Sequence, residues 1–348
     1  MSAPLPDWQR FIAGNPFPAH ADAAYPRAPL ELPVSRLPRD TWAAACIPAA
    51  VRLEFEGRAA ALRVLYRCRA SAPDNAGQLQ LTRHMRADMA ACFELWSAQQ
   101  CLASMPAGVD TGLQSVTIPL SGDGPYTLYL PELLLPEIVE LRVIDGELRP
   151  RPARPRWLAY GDSITEGWCA SSAALSWSAR CARALDLDLI NFGYSGAARG
   201  EIAAAEMLAG QRADVISVAF GTNCWSRVAH DGALFGATLR TFLQIVRAAH
   251  PTLPIFALSP ILRPDGEQRA NARGLTHAQL RAVFEQTVFA LQEQGDTQLH
   301  LIEGLPLLNR DDLSADGIHP NDAGHAAIAQ VFAQRLRPWL SPLSNRGA

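Results

Sequence analysis

The sequence has no lysine, so all 31 of its basic residues are arginine. That absence removes every chemistry resting on an ε-amine, including Schiff-base catalysis, a P-loop lysine and a serine–lysine dyad. The seven cysteines include no Cys-x-x-Cys pair and no Cys/His run at zinc-ligand spacing. An odd, scattered count argues against a disulfide scaffold and for reduced thiols in a cytoplasmic protein. The N-terminus, Met1 to Trp8, lacks the basic and apolar regions of a secretion signal. No apolar run approaches the roughly 20 residues that a membrane span needs. A net charge of −3 supplies neither a nucleic-acid footprint nor a polybasic membrane patch, so neither partner is expected. What is present is 49% hydrophobic and 19% charged residues over 348 positions, a globular balance with length for about two domains.

Residues 1–41 are rich in proline (Pro4, Pro6, Pro16, Pro18, Pro26, Pro29, Pro33 and Pro38), which predicts an extended arm on the surface. Over 42–148 the pattern has period two. Val51, Leu53 and Phe55 alternate with Arg52, Glu54 and Glu56, a half-buried strand. Further strands are expected at 61–68, 115–120, 126–130 and 138–144, and Asp145-Gly146 suits a tight hairpin turn. Short strands with little helical periodicity predict an antiparallel, jelly-roll or sandwich-like all-β domain. Residues 149–156 alternate proline with arginine, the composition of a stiff linker.

After the linker the period changes. Short apolar runs at 157–160, 187–192, 215–220, 255–258 and 299–302 are separated by segments with helical spacing, such as 234–249 and 280–294. This alternation predicts a parallel sheet covered by helices over 157–340, leaving 341–348 as a tail. Ligands of such sheets sit at the carboxyl ends of the strands, so the residues that follow each strand matter most. The first strand leads into Gly161-Asp162-Ser163-Ile164, the second into Asn191-Phe192-Gly193-Tyr194-Ser195-Gly196, and the third into Gly221-Thr222-Asn223. Asp316-Gly317-Ile318-His319-Pro320 precedes the last helix.

Acyl transfer needs a nucleophile, a base, an orienter for the base and donors for the oxyanion. Ser163 on a sharp strand-to-helix turn can be the nucleophile, His319 its base, and Asp316 the group that holds the other ring nitrogen. The backbone N–H groups of Ser163 and Gly196 and the side-chain amide of Asn223 can serve as oxyanion donors. Glycine at 196 lets backbone approach a substrate oxygen. This chemistry requires no metal and no organic cofactor.

The stretches G-D-S-I, N-F-G-Y-S-G, G-T-N and D-G-I-H-P, in this order, resemble the four blocks of the SGNH (GDSL-type) hydrolase superfamily, over roughly Arg156 to Leu340. The resemblance implies a flavodoxin-like three-layer α/β/α domain with esterase, lipase or acyltransferase activity. Ser163, Gly196, Asn223 and His319 match the family's namesake positions, and Asp316 its triad acid. The third block reads Gly-Thr-Asn-Cys-Trp where Gly-x-Asn-Asp is commoner, which keeps the donor but leaves the substrate fit around Cys224 and Trp225 open. A β-sandwich fused ahead of such a domain resembles carbohydrate esterases and antibiotic-pathway acyltransferases. The expected partner is therefore a small-molecule ester, with acylated sugars and acyl-CoA as candidates.

Each residue also has a structural role to weigh. Ser163 and Asn223 could cap helices, Gly196 could serve only a tight turn, and His319 could be a surface-turn histidine. Asp162 is read as tying down neighbouring N–H groups. Cys169 and Cys224 are read as packing residues. Trp168, Trp177 and Trp225 could shape a pocket or belong to the core. His230, His250, His277, His300 and His325 are assigned no role. Three functions remain: ester hydrolysis, acyl transfer to an alcohol, and carbohydrate binding with an idle hydrolase fold.

Overall fold

The structure, a computed structural model, describes residues 2–29, 36–69, 91–108, 110 and 112–340. The expected tail at 341–348 lies outside the described residues.

The first lobe is a sandwich of two antiparallel sheets. Its strands are β1 (Ser2–Pro4), β2 (Ile12–Ala13), β3 (Arg52–Glu56), β4 (Ala59–Cys68), β5 (Cys92–Ser97), β6 (Gln100–Pro106), β7 (Gln114–Pro119), β8 (Tyr126–Tyr129), β9 (Pro136–Gly146) and β10 (Arg149–Pro150). One sheet runs β1-β9-β4-β7; the other runs β10-β3-β8-β5-β6, with β2 on the flank of β3. Alternating residues close the core between them, among them Leu53, Phe55, Leu62, Val64, Phe93, Ile118, Leu128 and Leu141. The β5–β6 hairpin has no counterpart in the sequence reading.

The second lobe is a five-stranded parallel sheet of β11 (Arg156–Gly161), β12 (Asp188–Gly193), β13 (Val215–Ala219), β14 (Ile255–Leu258) and β15 (Leu299–Ile302), in the order β12-β11-β13-β14-β15. Its strands are largely apolar because both faces are covered. On one face Leu158, Tyr160 and Val218 pack beneath the helices Ile202–Ala209, Gly232–Ala249 and His277–Glu293. On the other, Trp157 stacks on Phe332 (ring centroids 5.2 Å apart) beneath the helices Trp177–Leu185 and Asp322–Leu340. The strand order reverses between β11 and β13, which opens a crevice beyond their carboxyl ends. Among the described residues no helix is long and apolar enough to cross a membrane.

Three expectations change on contact with the fold. Asp145-Gly146 makes no hairpin, because β9 pairs with β1 and β4 while the next strand, β10, pairs with β3 in the other sheet. The pair bends the chain from one sheet to the other, with Asp145 at φ 47° and Gly146 at φ 157°. The arginine–proline stretch is no free linker, since Arg149–Pro150 is laid along β3 and Arg156 opens β11. The polar side of β3 is not solvated either: Arg52 and Glu54 are buried, and Arg52 donates to Leu189 O (2.9 Å) in β12 of the second lobe.

The proline-rich stretch also does more than lie on the surface. β1 and β2 join the sandwich, Phe11 enters its core, and Tyr25 and the fully buried Arg27 sit deeper in the molecule.

Candidate active site

The end of β11 allows no side chain at 161: a Cβ there would lie 2.1 Å from Thr165 Oγ1 and 2.5 Å from Ala219 O. Asp162 then caps the short helix Ser163–Glu166, accepting from Ile164 N–H at 3.0 Å, and so has the structural role read from the sequence. Burial raises its carboxyl to about pKa 6 against the opposing hydrogen bond from Ile164.

Ser163 is the first residue of that helix and is buried. Its Oγ lies 2.7 Å from His319 Nε2. The other ring nitrogen, Nδ1, is 2.5 Å from Asp316 Oδ2. Asp316 is fixed in turn, because its Oδ1 accepts from Ser314 Oγ (2.7 Å), Ile318 N–H (2.8 Å) and His319 N–H (3.0 Å). A neutral imidazole in this setting carries its proton on Nδ1 toward Asp316 and leaves Nε2 to accept from the serine hydroxyl. The sequence-predicted Ser163, His319 and Asp316 are therefore brought into one hydrogen-bonded line.

The electrostatics of the line follow from that geometry. Burial, the largest single influence, pushes His319 down, and the Asp316 hydrogen bond is the largest of several that push it up. With contributions from the Asp316 charge and from Cys169, the net result is a pKa of about 9. Burial pushes Asp316 up, yet its bond to His319, the imidazolium charge and two backbone N–H groups hold it well below the usual carboxylate range.

The two remaining predicted residues lie on loops joined by one hydrogen bond. Gly196 follows β12 with φ +68°, a conformation that favours glycine. Asn223 lies in the short helix Thr222–Ser226 after β13, and Gly221, not Asn223, is its cap. Asn223 Nδ2 donates to Ala198 O (3.2 Å), tying the third block to the loop of the second and, among the described residues, leaving one amide N–H uncommitted. Among the described residues, the backbone N–H groups of Ser163 and Gly196 have no acceptor.

Sequence reasoning missed what holds these loops. Glu166, fully enclosed at the end of the Ser163 helix, accepts from Ser195 N–H (2.8 Å), beside Gly196, and from Trp168 Nε1 (3.2 Å). It also lies 3.5 Å from Arg27 Nη2. Arg27 donates to the carbonyls of Ile47 (2.6 Å), Ala44 (2.7 Å) and Asn191 (3.0 Å), and to Gly193 O. No sequence pattern marks either residue, since a glutamate on a helix reads as solvated and Arg27 lies in the arm. Trp168 packs its ring against His319 (centroids 5.3 Å apart), so it belongs to the site. His325, left without a role, is fully buried and driven down to about pKa 4 by that burial. It takes Trp177 N–H on Nδ1 (3.1 Å) and offers Nε2 to Trp168 O (2.9 Å).

Cys224 and Trp177 are core residues, whereas Trp225 carries the Arg263 guanidinium over its ring at 4.6 Å. Cys169 is half-buried with Sγ 4.0 Å from Asp316 Oδ2. Cys169, Asp316 and His319 offer ligand atoms within 4.8 Å of one another, a set able to hold a metal ion; two of its members are already bonded to each other.

A family model described as the GDSL-like lipase/acylhydrolase family matches residues 156–337. No curated protein matches the chain. Among solved structures, a salicylyl-acyltransferase from a tetracycline biosynthetic pathway is similar over 99% of this chain and 97% of its own, at 24% identity and TM-score 0.78. A Bacteroides ovatus protein described as a GDSL-like lipase is similar over 98% of both chains, at 20% identity and TM-score 0.71. A family two carbohydrate esterase from Clostridium thermocellum is similar over 83% of this chain and 93% of its own, at 16% identity and TM-score 0.55. At these identities the likeness is one of fold, and it includes the sandwich.

Proposed function

The chain belongs to the GDSL-like lipase/acylhydrolase family, and on that footing we propose that it is a serine esterase working through an acyl-enzyme on Ser163. The observation that carries this reading is the hydrogen-bonded line of Ser163 Oγ, His319 and Asp316, with steps of 2.7 and 2.5 Å.

In the proposed cycle His319 Nε2 takes the Ser163 proton as Oγ attacks the ester carbonyl. Asp316 holds the imidazolium and its tautomer. The backbone N–H groups of Ser163 and Gly196 and the free amide N–H of Asn223 receive the charge that develops on the carbonyl oxygen. The alcohol leaves with the proton from His319, and water, activated by the same ring, releases the acid. A fluorophosphonate probe should label Ser163, and Ser163→Ala should lose both labelling and p-nitrophenyl acetate hydrolysis. Full activity in that variant would overturn the assignment.

Acyl transfer is the second reading. It is supported by the burial of Ser163 and His319, which limits access of bulk water to an acyl-enzyme, and by the salicylyl-acyltransferase among the similar folds. Supplying an acyl-CoA with an alcohol acceptor and measuring ester formed against acid released separates the two. An idle hydrolase fold on a carbohydrate-binding sandwich has no observation in its favour.

A further inference from the structure

The arginine–proline stretch between the lobes takes no part in the proposed catalysis, yet it forms one wall of a cavity of about 310 Å³. Arg151, Arg154 and Arg156 line it, together with Arg10 from the N-terminal arm and Arg212 from the turn before β13. Five arginines around one hollow are unusual in a chain whose net charge is −3.

The two carboxylates in the wall, Glu54 and Asp188, are already committed. Glu54 pairs with Arg52 (2.8 Å) and with Arg154, while Asp188 pairs with Arg156 (2.8 Å) and Arg52 (3.4 Å). Arg10 and Arg212 are exposed and have no carboxylate partner among the described residues. Arg151 and Arg154 also share Asp186 (2.8 and 3.2 Å), so the uncommitted positive charge of the wall belongs to Arg10 and Arg212.

This hollow is separate from the catalytic crevice. Arg156 and Asp188 are the first residues of β11 and β12, whose far ends lead to Ser163 and Gly196. Six residues of strand at ~3.3 Å each place the two sites roughly 20 Å apart, at opposite edges of the sheet. The size lies at the lower end for small-molecule sites. Planar guanidinium groups match phosphate and carboxylate oxygens in pairs, and a phosphate carries the larger charge for the two uncommitted arginines, Arg10 and Arg212.

We propose that this cavity is a second ligand site, taking a small phosphorylated organic anion. The test is isothermal titration calorimetry on the full chain with three probes: inorganic pyrophosphate, a nucleoside monophosphate and citrate. One-to-one saturable binding of a phosphate probe is expected, persisting in Ser163→Ala and weakened roughly tenfold or more when Arg10→Glu and Arg212→Glu remove the uncommitted charges. Both positions are exposed, so the double variant should keep the thermal midpoint and ester turnover of the parent. The proposal is overturned if no probe saturates, if binding survives the double charge reversal unweakened, or if it is lost in Ser163→Ala, which would put the anion in the catalytic crevice. Binding of citrate alone would overturn the phosphate assignment.

Discussion

The acid limb of the pH–rate profile tests the Asp316–His319 pair directly. Replacing Asp316 with asparagine removes the charge and exchanges the carboxylate acceptor for a neutral amide, weakening what lifts His319 from 6.5 to about 9. At about 1.4 kcal/mol per unit, that rise corresponds to about 3 kcal/mol in favour of the imidazolium, gained against burial, which acts in the opposite direction. Catalysis needs the neutral ring, so the wild-type kcat/KM should fall on acidification with a midpoint above 6.5, displaced toward 9. In Asp316→Asn burial is opposed only by Cys169 and the weaker amide acceptor, and the midpoint should drop well below that of the wild type. The amide also stabilises the wrong tautomer, so kcat should fall by a factor of order 10⁴. The assay is p-nitrophenyl acetate hydrolysis across about pH 5–10, fitted for kcat/KM because that ratio reports the free enzyme. A wild-type midpoint at or below 6.5, or one that the substitution leaves in place, refutes the reasoning. The same bond affects stability with a defined sign: a raised histidine supports the fold fully below pH 6.5 and gives up that support as pH climbs through about 9.

Other residues carry their own expectations. Asn223→Ala should lower kcat by roughly 10²–10³ with little change in KM if its amide meets the oxyanion; a change confined to KM assigns it to binding. Glu166→Gln leaves the buried Arg27 guanidinium without its counter-charge, and urea unfolding should show a loss of about 3 kcal/mol, at the low end for a broken buried pair because four carbonyls still hold the arginine. A loss below about 1 kcal/mol would mean that the carbonyls suffice. Gly161→Ala drives a methyl into Thr165 Oγ1 and Ala219 O, so the variant should melt well below wild type; an unchanged midpoint would show that the turn can shift.

The catalytic lobe was legible because its signals are local. Buried parallel strands such as Ile255–Leu258 read as unbroken apolar runs, and the first three blocks lie at strand ends. Ser163, Asp316 and His319, named from residue type and position, come together in one hydrogen-bonded line. The supports were not legible, because they depend on partners far along the chain. Arg27 reaches Asn191, 164 positions away, and nothing in its arm predicts burial. Arg52 and Glu54 alternate with apolar neighbours as solvated residues do, yet their face meets the second lobe and not water. Asp145-Gly146 has the composition of a hairpin turn, but pairing is set by which sheet the following strand joins, and Arg149 joins β3.

The arm that starts in the sandwich and ends against the helix of Ser163 and the second block has a consequence for how such an enzyme can be built. Arg27 comes from a segment that lies ahead of the β lobe's main strands, pairs with that lobe first, and only then grips carbonyls at the end of β12, three to five residues before Gly196. The hydrolase half is therefore not a cassette to be lifted out at the inter-lobe junction, because part of its scaffolding is encoded upstream of the accessory half. Recombination that swaps one lobe for a foreign module would discard the clamp with it.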